Sequence, residues 1–208
     1  MILQAGGITH YYKNDLALDN VNFEAKKGEF IAIVGESGSG KSTLLSILSS
    51  LLRPSHGELF FEGKAYTLIK DIDAFRQKEV GFIFQFHYLI GYLTILENIK
   101  LASINKKSTY IDTLFKQCGI EAIKDKYPDE ISGGQRQRAA IVRALVNTPK
   151  IIFADEPTGN LDSRNSQMIY ELFKTLSKSG TTIIIATHDR HISDYADKII
   201  EVKDGKIL

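Results

Sequence analysis

The 208-residue chain is 43% hydrophobic, and 26 Lys plus Arg are nearly cancelled by 25 Asp plus Glu, leaving a formal net charge of +1. That balance argues against a broad nucleic-acid-binding face and against an acidic disordered tail, so no nucleic-acid partner is expected; the length suits one domain, or one core with a small inserted subdomain. Cys118 stands alone, which leaves no disulfide framework and no cysteine metal set and makes a reducing cytosol the natural reading.

In chain order, Met1-Ile-Leu-Gln lacks the charged segment and apolar run of a signal peptide. The first 30 residues and Gly57 to Glu62 read as short strands joined by turns. Phe30 to Val34, Val80 to Phe84, Ile151 to Ala154 and Thr181 to Thr187 are near-continuous apolar, β-branched runs. Such runs suit strands covered on both faces, as in a parallel α/β sheet. Helical patterns lie at Lys41 to Ser50, Ile111 to Cys118, Gln135 to Asn147 and Ser163 to Ser179. Asp204-Gly205 predicts a hairpin within Val202 to Ile207. Between Phe86 and Asn147 helical signals dominate, which predicts a helical subdomain with hinges near Gln85 and Pro149; one continuous three-layer domain is the alternative. No stretch approaches the roughly 18–20 apolar residues of a membrane-crossing helix, so a membrane role has to come through a partner.

Gly35-Glu36-Ser37-Gly38-Ser39-Gly40-Lys41-Ser42-Thr43 fits G-x-x-x-x-G-K-[ST] between a strand and a helix. Glycines allow a tight turn with inward N–H groups, and the helix adds its positive N-terminal dipole. Lys41 can reach β- and γ-phosphates, and the Ser42 hydroxyl can ligate Mg²⁺. Asp155-Glu156 ends an apolar run; Asp155 can hold Mg²⁺ through water while Glu156 polarises the attacking water. By itself this pair also fits a strand capped by solvated acids. Ser132-Gly133-Gly134 opens a good helix, which makes either a second anion cradle or an ordinary N-cap.

Taken together, an aromatic at Tyr12, the phosphate loop, Gln85, Ile131 to Gln135, Asp155-Glu156, Asn160-Leu161-Asp162 and His188 resemble, in order, the ATP-binding-cassette (ABC) ATPases. The resemblance covers nearly the whole chain. It implies a P-loop NTPase (RecA-like) α/β core, residues 1–85 and 149–208, with an N-terminal antiparallel β part and an inserted helical subdomain, residues 86–148. It further implies ATP bound at a head-to-tail homodimer interface. There Tyr12 would stack on adenine, with Tyr11 as a competitor, and Gln85 would touch Mg²⁺ or water. Ser132, Gly133, Gly134 and Gln135 would face the γ-phosphate held by the partner copy, Asp162 would link the two sites, and His188 would hold the attacking geometry. Ile131 stands where Leu is usual, and Glu36 where Pro is more frequent; no residue essential to hydrolysis is missing.

Gln85 to Asn98 also looks like the branch serving lipoprotein-release and macrolide-type exporters, and Thr187 to Asp197 like haem and glycolipid export members. The implied partner is a transmembrane permease subunit, which would hold the chain at the cytoplasmic face of the membrane. Phe86, Tyr88, Leu89, Tyr92 and Leu93 would form its docking surface, unless they pack inside the helical subdomain. A non-transport ABC ATPase of DNA repair or ribosomes would usually need a long coiled-coil insertion or tandem cassettes. A regulatory module without turnover would not need Asp155, Glu156 and His188 together.

Overall fold

The computed structural model describes residues 1–105, 109–159 and 161–208. Its centre is a sheet in which five strands run parallel: β3 (Phe30–Val34), β6 (Val80–Ile83), β7 (Ile151–Asp155), β8 (Thr182–Ala186) and β9 (Lys198–Lys203). The spatial order is β9-β3-β8-β7-β6, with β10 (Lys206–Ile207) antiparallel on the β9 edge. The turn between β9 and β10 has Asp204 at φ 48 and Gly205 at φ 76. Both angles are left-handed, as the predicted two-residue hairpin requires.

Strand alternation sends neighbouring residues to opposite faces, and the apolar runs are used on both. Phe30, Ala32, Ile152, Ala154, Ile183 and Ile185 enter one core. Ile31, Ile33, Ile151, Phe153, Ile184 and Ala186 enter the other. Helix α1 (Lys41–Leu48) and a four-stranded antiparallel sheet cover the second face. In that sheet β1 (Leu3–Tyr12) and β2 (Asp15–Ala25) run for 10 and 11 residues, longer than the short strands expected. Three register shifts along their pairing let both continue past Gly6-Gly7. Strand β4 (His56–Phe61) pairs with β1, and β5 (Lys64–Ala65) with β4.

The first face is covered by α3 (Ile95–Ala102), α4 (Tyr110–Gln117), α5 (Gly133–Leu145) and α6 (Ser163–Lys178). Ile95 and Ile99, Ile111 with Leu114 and Phe115, and Ile169 with Phe173 repeat at three- or four-residue spacing, the spacing that lines one side of a helix. Each such side chain, when fully buried, contributes about 1.5–3 kcal/mol. Helices α2 (Ile72–Glu79) and α3 were not among the individually predicted elements. Their caps mark them: Asp71 accepts from the Ala74 amide, and Thr94 with Glu97 forms a reciprocal capping box. Helix α5 starts two residues before the predicted Gln135, because Ser132 caps it from outside.

Because β3, β6, β7 and β8 are parallel, their C-terminal ends open on one edge of the sheet. That edge is where an open α/β sheet binds ligands, and the phosphate loop, Gln85, Asp155-Glu156 and Thr187-His188 all leave from it.

Candidate active site

The phosphate loop is braced from behind by the carboxyl-terminal hairpin. A Cβ added to Gly35, whose φ is +152, would lie 2.2 Å from the Val202 carbonyl oxygen on β9. Only glycine fits a contact that close. The Gly205 amide donates to Ser39 O at 3.0 Å, so the turn itself holds the loop. Lys41 is nearly buried, and its ammonium donates to Gly35 O at 2.9 Å and Glu36 O at 2.7 Å. The cation is thereby fixed inside the curl of the loop, while Glu36, Ser37 and Gly38 are exposed along it and Gly40 precedes the helix. Thr43 lies 3.5 Å from the Tyr12 hydroxyl, and Tyr12 is half exposed. Tyr12, held edge-on by His10 at 4.8 Å between ring centres, is therefore the β1 tyrosine whose hydroxyl reaches the phosphate loop.

Ser42 donates from its hydroxyl to Asp155 Oδ1 at 3.1 Å, across 113 residues of sequence. Burial is the main cause of a raised Asp155 pKa; Glu156 adds to it, while the Ser42 hydrogen bond and Lys41 oppose it. A carboxyl with a raised folded pKa favours the native state when protonated and opposes it once ionised. The Asp155→Asn variant, which keeps an oxygen for Ser42, should therefore melt higher than the unsubstituted chain at neutral pH without divalent cation. The difference should shrink as pH falls through the Asp155 pKa. Thermal melts from pH 4 to 8 test this, and a lower neutral-pH melting point would contradict it.

Glu156 does not continue β7. Its φ is 46, and its amide turns to donate to Ala186 O at 2.9 Å. The two adjacent carboxylates are thus separated by a left-handed backbone step, rather than by strand alternation alone. Left-handed conformations of non-glycine residues cost of order 1–3 kcal/mol and cluster at functional sites. The step delivers the Glu156 carboxylate to the end of β8. Oε2 accepts from Thr187 Oγ1 at 3.0 Å, and Oε1 accepts from the His188 amide at 3.1 Å and lies 2.7 Å from His188 Nδ1. The carboxylate is mostly buried and the imidazole 77% exposed. Thr187 was not singled out by sequence reasoning; its place directly before His188 is the signal that finds it. Gln85 follows β6 by two residues and is exposed at the same sheet edge.

Ser132 and Gln135 cap α5 reciprocally: Ser132 Oγ accepts from the Gln135 amide at 3.2 Å, and the Ser132 amide donates to Gln135 Oε1 at 2.9 Å. The N-cap reading of Ser132 is therefore correct locally, and it leaves Gly133 open, since an added Cβ would meet nothing within 4 Å. Asp162 caps α6, accepting from Asn165 N at 2.9 Å and Asn165 Nδ2 at 2.7 Å. Those bonds, with smaller help from Arg138, hold its carboxyl below the usual range. Arg138 Nη1 donates to Asn165 Oδ1 at 2.8 Å, joining the two helix starts. Ser132, Gly133, Gly134, Arg138, Asp162 and Asn165 line one cavity of about 640 Å³, and no phosphate-loop residue lines it. Asn160 of the same motif lies outside the described residues.

The family model "ABC transporter" matches residues 18–159, taking in the phosphate loop, the Ser132 cradle and the Asp155-Glu156 pair. The chain belongs to the ABC transporter family. It is similar to the lipoprotein-releasing system ATP-binding protein LolD of Aquifex aeolicus, 42% identical over 100% of this chain and 96% of that one. It is 44% identical to the bacitracin export ATP-binding protein BceA of Halalkalibacterium halodurans, over 99% of this chain and 87% of that one. The dimeric post-hydrolysis structure of the ATP-binding cassette MJ0796, bound to ADP and Pi, superposes with a TM-score of 0.91 at 36% identity, covering 99% of this chain and 96% of that one. This ABC protein is accordingly an ATP-binding transporter subunit and an ATPase, built on a P-loop NTPase fold. Among the described residues no helix is long and apolar enough to cross a membrane.

Proposed function

We propose that two copies of this ABC ATPase close head to tail around two Mg-ATP molecules and drive a transmembrane permease that exports its substrate. The observation that carries this reading is that Ser132 to Gly134 line a cavity with Asp162 and Asn165 that no phosphate-loop residue shares. A cradle that shares no cavity with its own phosphate loop is completed by the phosphate loop of a second copy. The dimeric MJ0796 cassette supports that arrangement. Phosphate release and light scattering measured together test it, because the total rate of phosphate release should rise with the square of protein concentration while the dimer is scarce, and a rate merely proportional to concentration would contradict it.

In each site Gly35 to Thr43 and Lys41 hold the phosphates, and Tyr12 takes the adenine. The Ser42 hydroxyl and Asp155 carboxylate are hard oxygen donors 3.1 Å apart, which suits Mg²⁺, a cation bound through one or two protein oxygens plus phosphate and water. When bound, Mg²⁺ offsets phosphate charge. The Glu156 carboxylate accepts the proton of the attacking water, which Gln85 helps to place. Thr187 and the His188 amide fix that carboxylate, and the His188 ring, 2.7 Å from it through Nδ1, would contact the γ-phosphate. Ser132, Gly133, Gly134 and Gln135 of one copy complete the phosphate site of the other, with Asp162 linking the two.

Residues 86–148, holding α3 to α5, act as the unit that follows nucleotide state, against a core of residues 1–85 and 149–208. The permease holds the chain peripherally at the cytoplasmic membrane face. Relatives named for lipoprotein release and bacitracin export support the export direction. Phe86, Tyr88 and Tyr92 are 68, 64 and 82% exposed, a cluster that suits an apolar helix of the permease. Exposed substitutions away from special features usually change stability by less than about 0.5 kcal/mol. Phe86→Ser/Tyr92→Ser should therefore keep its melting point and ATP affinity yet no longer co-purify with a polytopic membrane protein identified by mass spectrometry. Retained co-purification would remove this surface from the reading.

A further inference from the structure

Arg143, in the last turn of α5, reaches back to the loop that follows β6. Nη1 donates to Tyr88 O at 2.6 Å and Nη2 to His87 O at 2.7 Å. A guanidinium presents its donors in a rigid planar fork and so holds two successive carbonyls in one fixed geometry, which an ammonium on a flexible stem does not impose. The segment it holds is strained: Tyr88 has φ 46, an outlier for a bulky aromatic, and such a residue persists only where its surroundings over-determine it. Charge and backbone at the other end of α5 also act on this loop: burial, opposed by the Gly133 backbone and aided by Arg136 and Arg143, lowers the His87 pKa. Residues 87 and 88 are thus fastened by Arg143 to a helix whose first turn follows the Ser132 cap. The Tyr88 ring is itself exposed, 6.4 Å from and edge to face with the exposed ring of Phe86.

We propose that Arg143 is the positioning residue that makes the Phe86–Tyr88 loop travel with α5. Engagement of the partner copy's nucleotide by Ser132 to Gly134 is then felt at the aromatic surface without any contact between that surface and ATP. The inference rests on the dimer reading above. The plainer possibility is that Arg143 only satisfies two carbonyls.

Hydrogen–deuterium exchange of a peptide spanning residues 84–93, in a Glu156→Gln background with and without Mg-ATP, separates the two. In that background the peptide should change its exchange when ATP drives dimerisation. Adding Arg143→Lys should leave nucleotide affinity and dimer formation as they were. The peptide should then exchange about tenfold faster, the loss of one charge-assisted hydrogen bond, and no longer distinguish monomer from dimer. A dimer that forms with no change in the peptide overturns the tether alone. So does an Arg143→Lys peptide that still responds, or an Arg143→Lys chain that fails to fold, since a tether confined to one surface loop does not predict global loss. If Glu156→Gln does not dimerise with ATP, the dimer reading fails and the tether falls with it.

Discussion

Glu156→Gln should lower the ATPase turnover number by about 10²- to 10⁴-fold, the range for loss of a positioned general base, with little change in ATP affinity. The substitution is nearly isosteric. Its amide oxygen can still accept from the His188 amide, which bonds Oε1 at 3.1 Å, and its NH2 can donate to the Thr187 hydroxyl oxygen, which lies 3.0 Å from Oε2. What is lost is proton affinity. Nothing in the phosphate loop or at Ser42 and Asp155 is altered, so Mg-ATP still binds and the closed dimer accumulates. Single-turnover phosphate release and size-exclusion chromatography with ATP check both halves of the expectation. Turnover within threefold of the unsubstituted chain would remove Glu156 as the base and direct attention to His188.

Mixing two inactive variants should restore activity. Lys41→Ala removes the phosphate-loop cation and should cost about 10²-fold or more in turnover, as loss of a preorganised charge does. Gly133→Asp places a carboxylate at the cradle. The fold accommodates it, because an added Cβ meets nothing within 4 Å and an acid in a first helical turn is favoured by the helix dipole. The lesion therefore appears only when a phosphate approaches. In a mixed head-to-tail dimer one site combines Lys41→Ala with Gly133→Asp and is dead, while the other has an intact phosphate loop and an intact cradle. An equimolar mixture should recover about a quarter of normal activity, half the dimers being mixed and each having one whole site of two. If each chain closed its own site, the mixture would be as inactive as its parts. A titration of one variant into the other, followed by phosphate release, distinguishes these outcomes.

The phosphate loop, the acid pair and the Ser132 cradle were legible because each is contiguous. G-x-x-x-x-G-K-[ST] is a backbone shape written in adjacent residues, and near-continuous apolar runs around it imply strands covered on both faces. The central strands fell close to their expected limits for the same reason. The length of β1 and β2 was not legible, since register shifts let polar and glycine residues continue a ladder that alternation would end. Helix α2 was obscured by its mixed polar composition and was betrayed only by the Asp71 cap.

By itself the sequence pointed to a phosphate site at Gly35 to Thr43, and it determined that the fold is α/β and that the ordered motifs are those of an ABC ATPase. Tertiary structure alone decided how these pieces meet. It put Asp155 on Ser42 and Glu156 on Thr187 and His188, it backed the phosphate loop with the carboxyl-terminal hairpin, and it gathered Ser132 to Gly134 with Asp162 and Asn165 around one cavity that no phosphate-loop residue lines. The physical reason is range. Local motifs encode backbone conformation over a few residues, whereas hydrogen bonds between groups 31 to 113 residues apart depend on the strand order that brings the chain ends together.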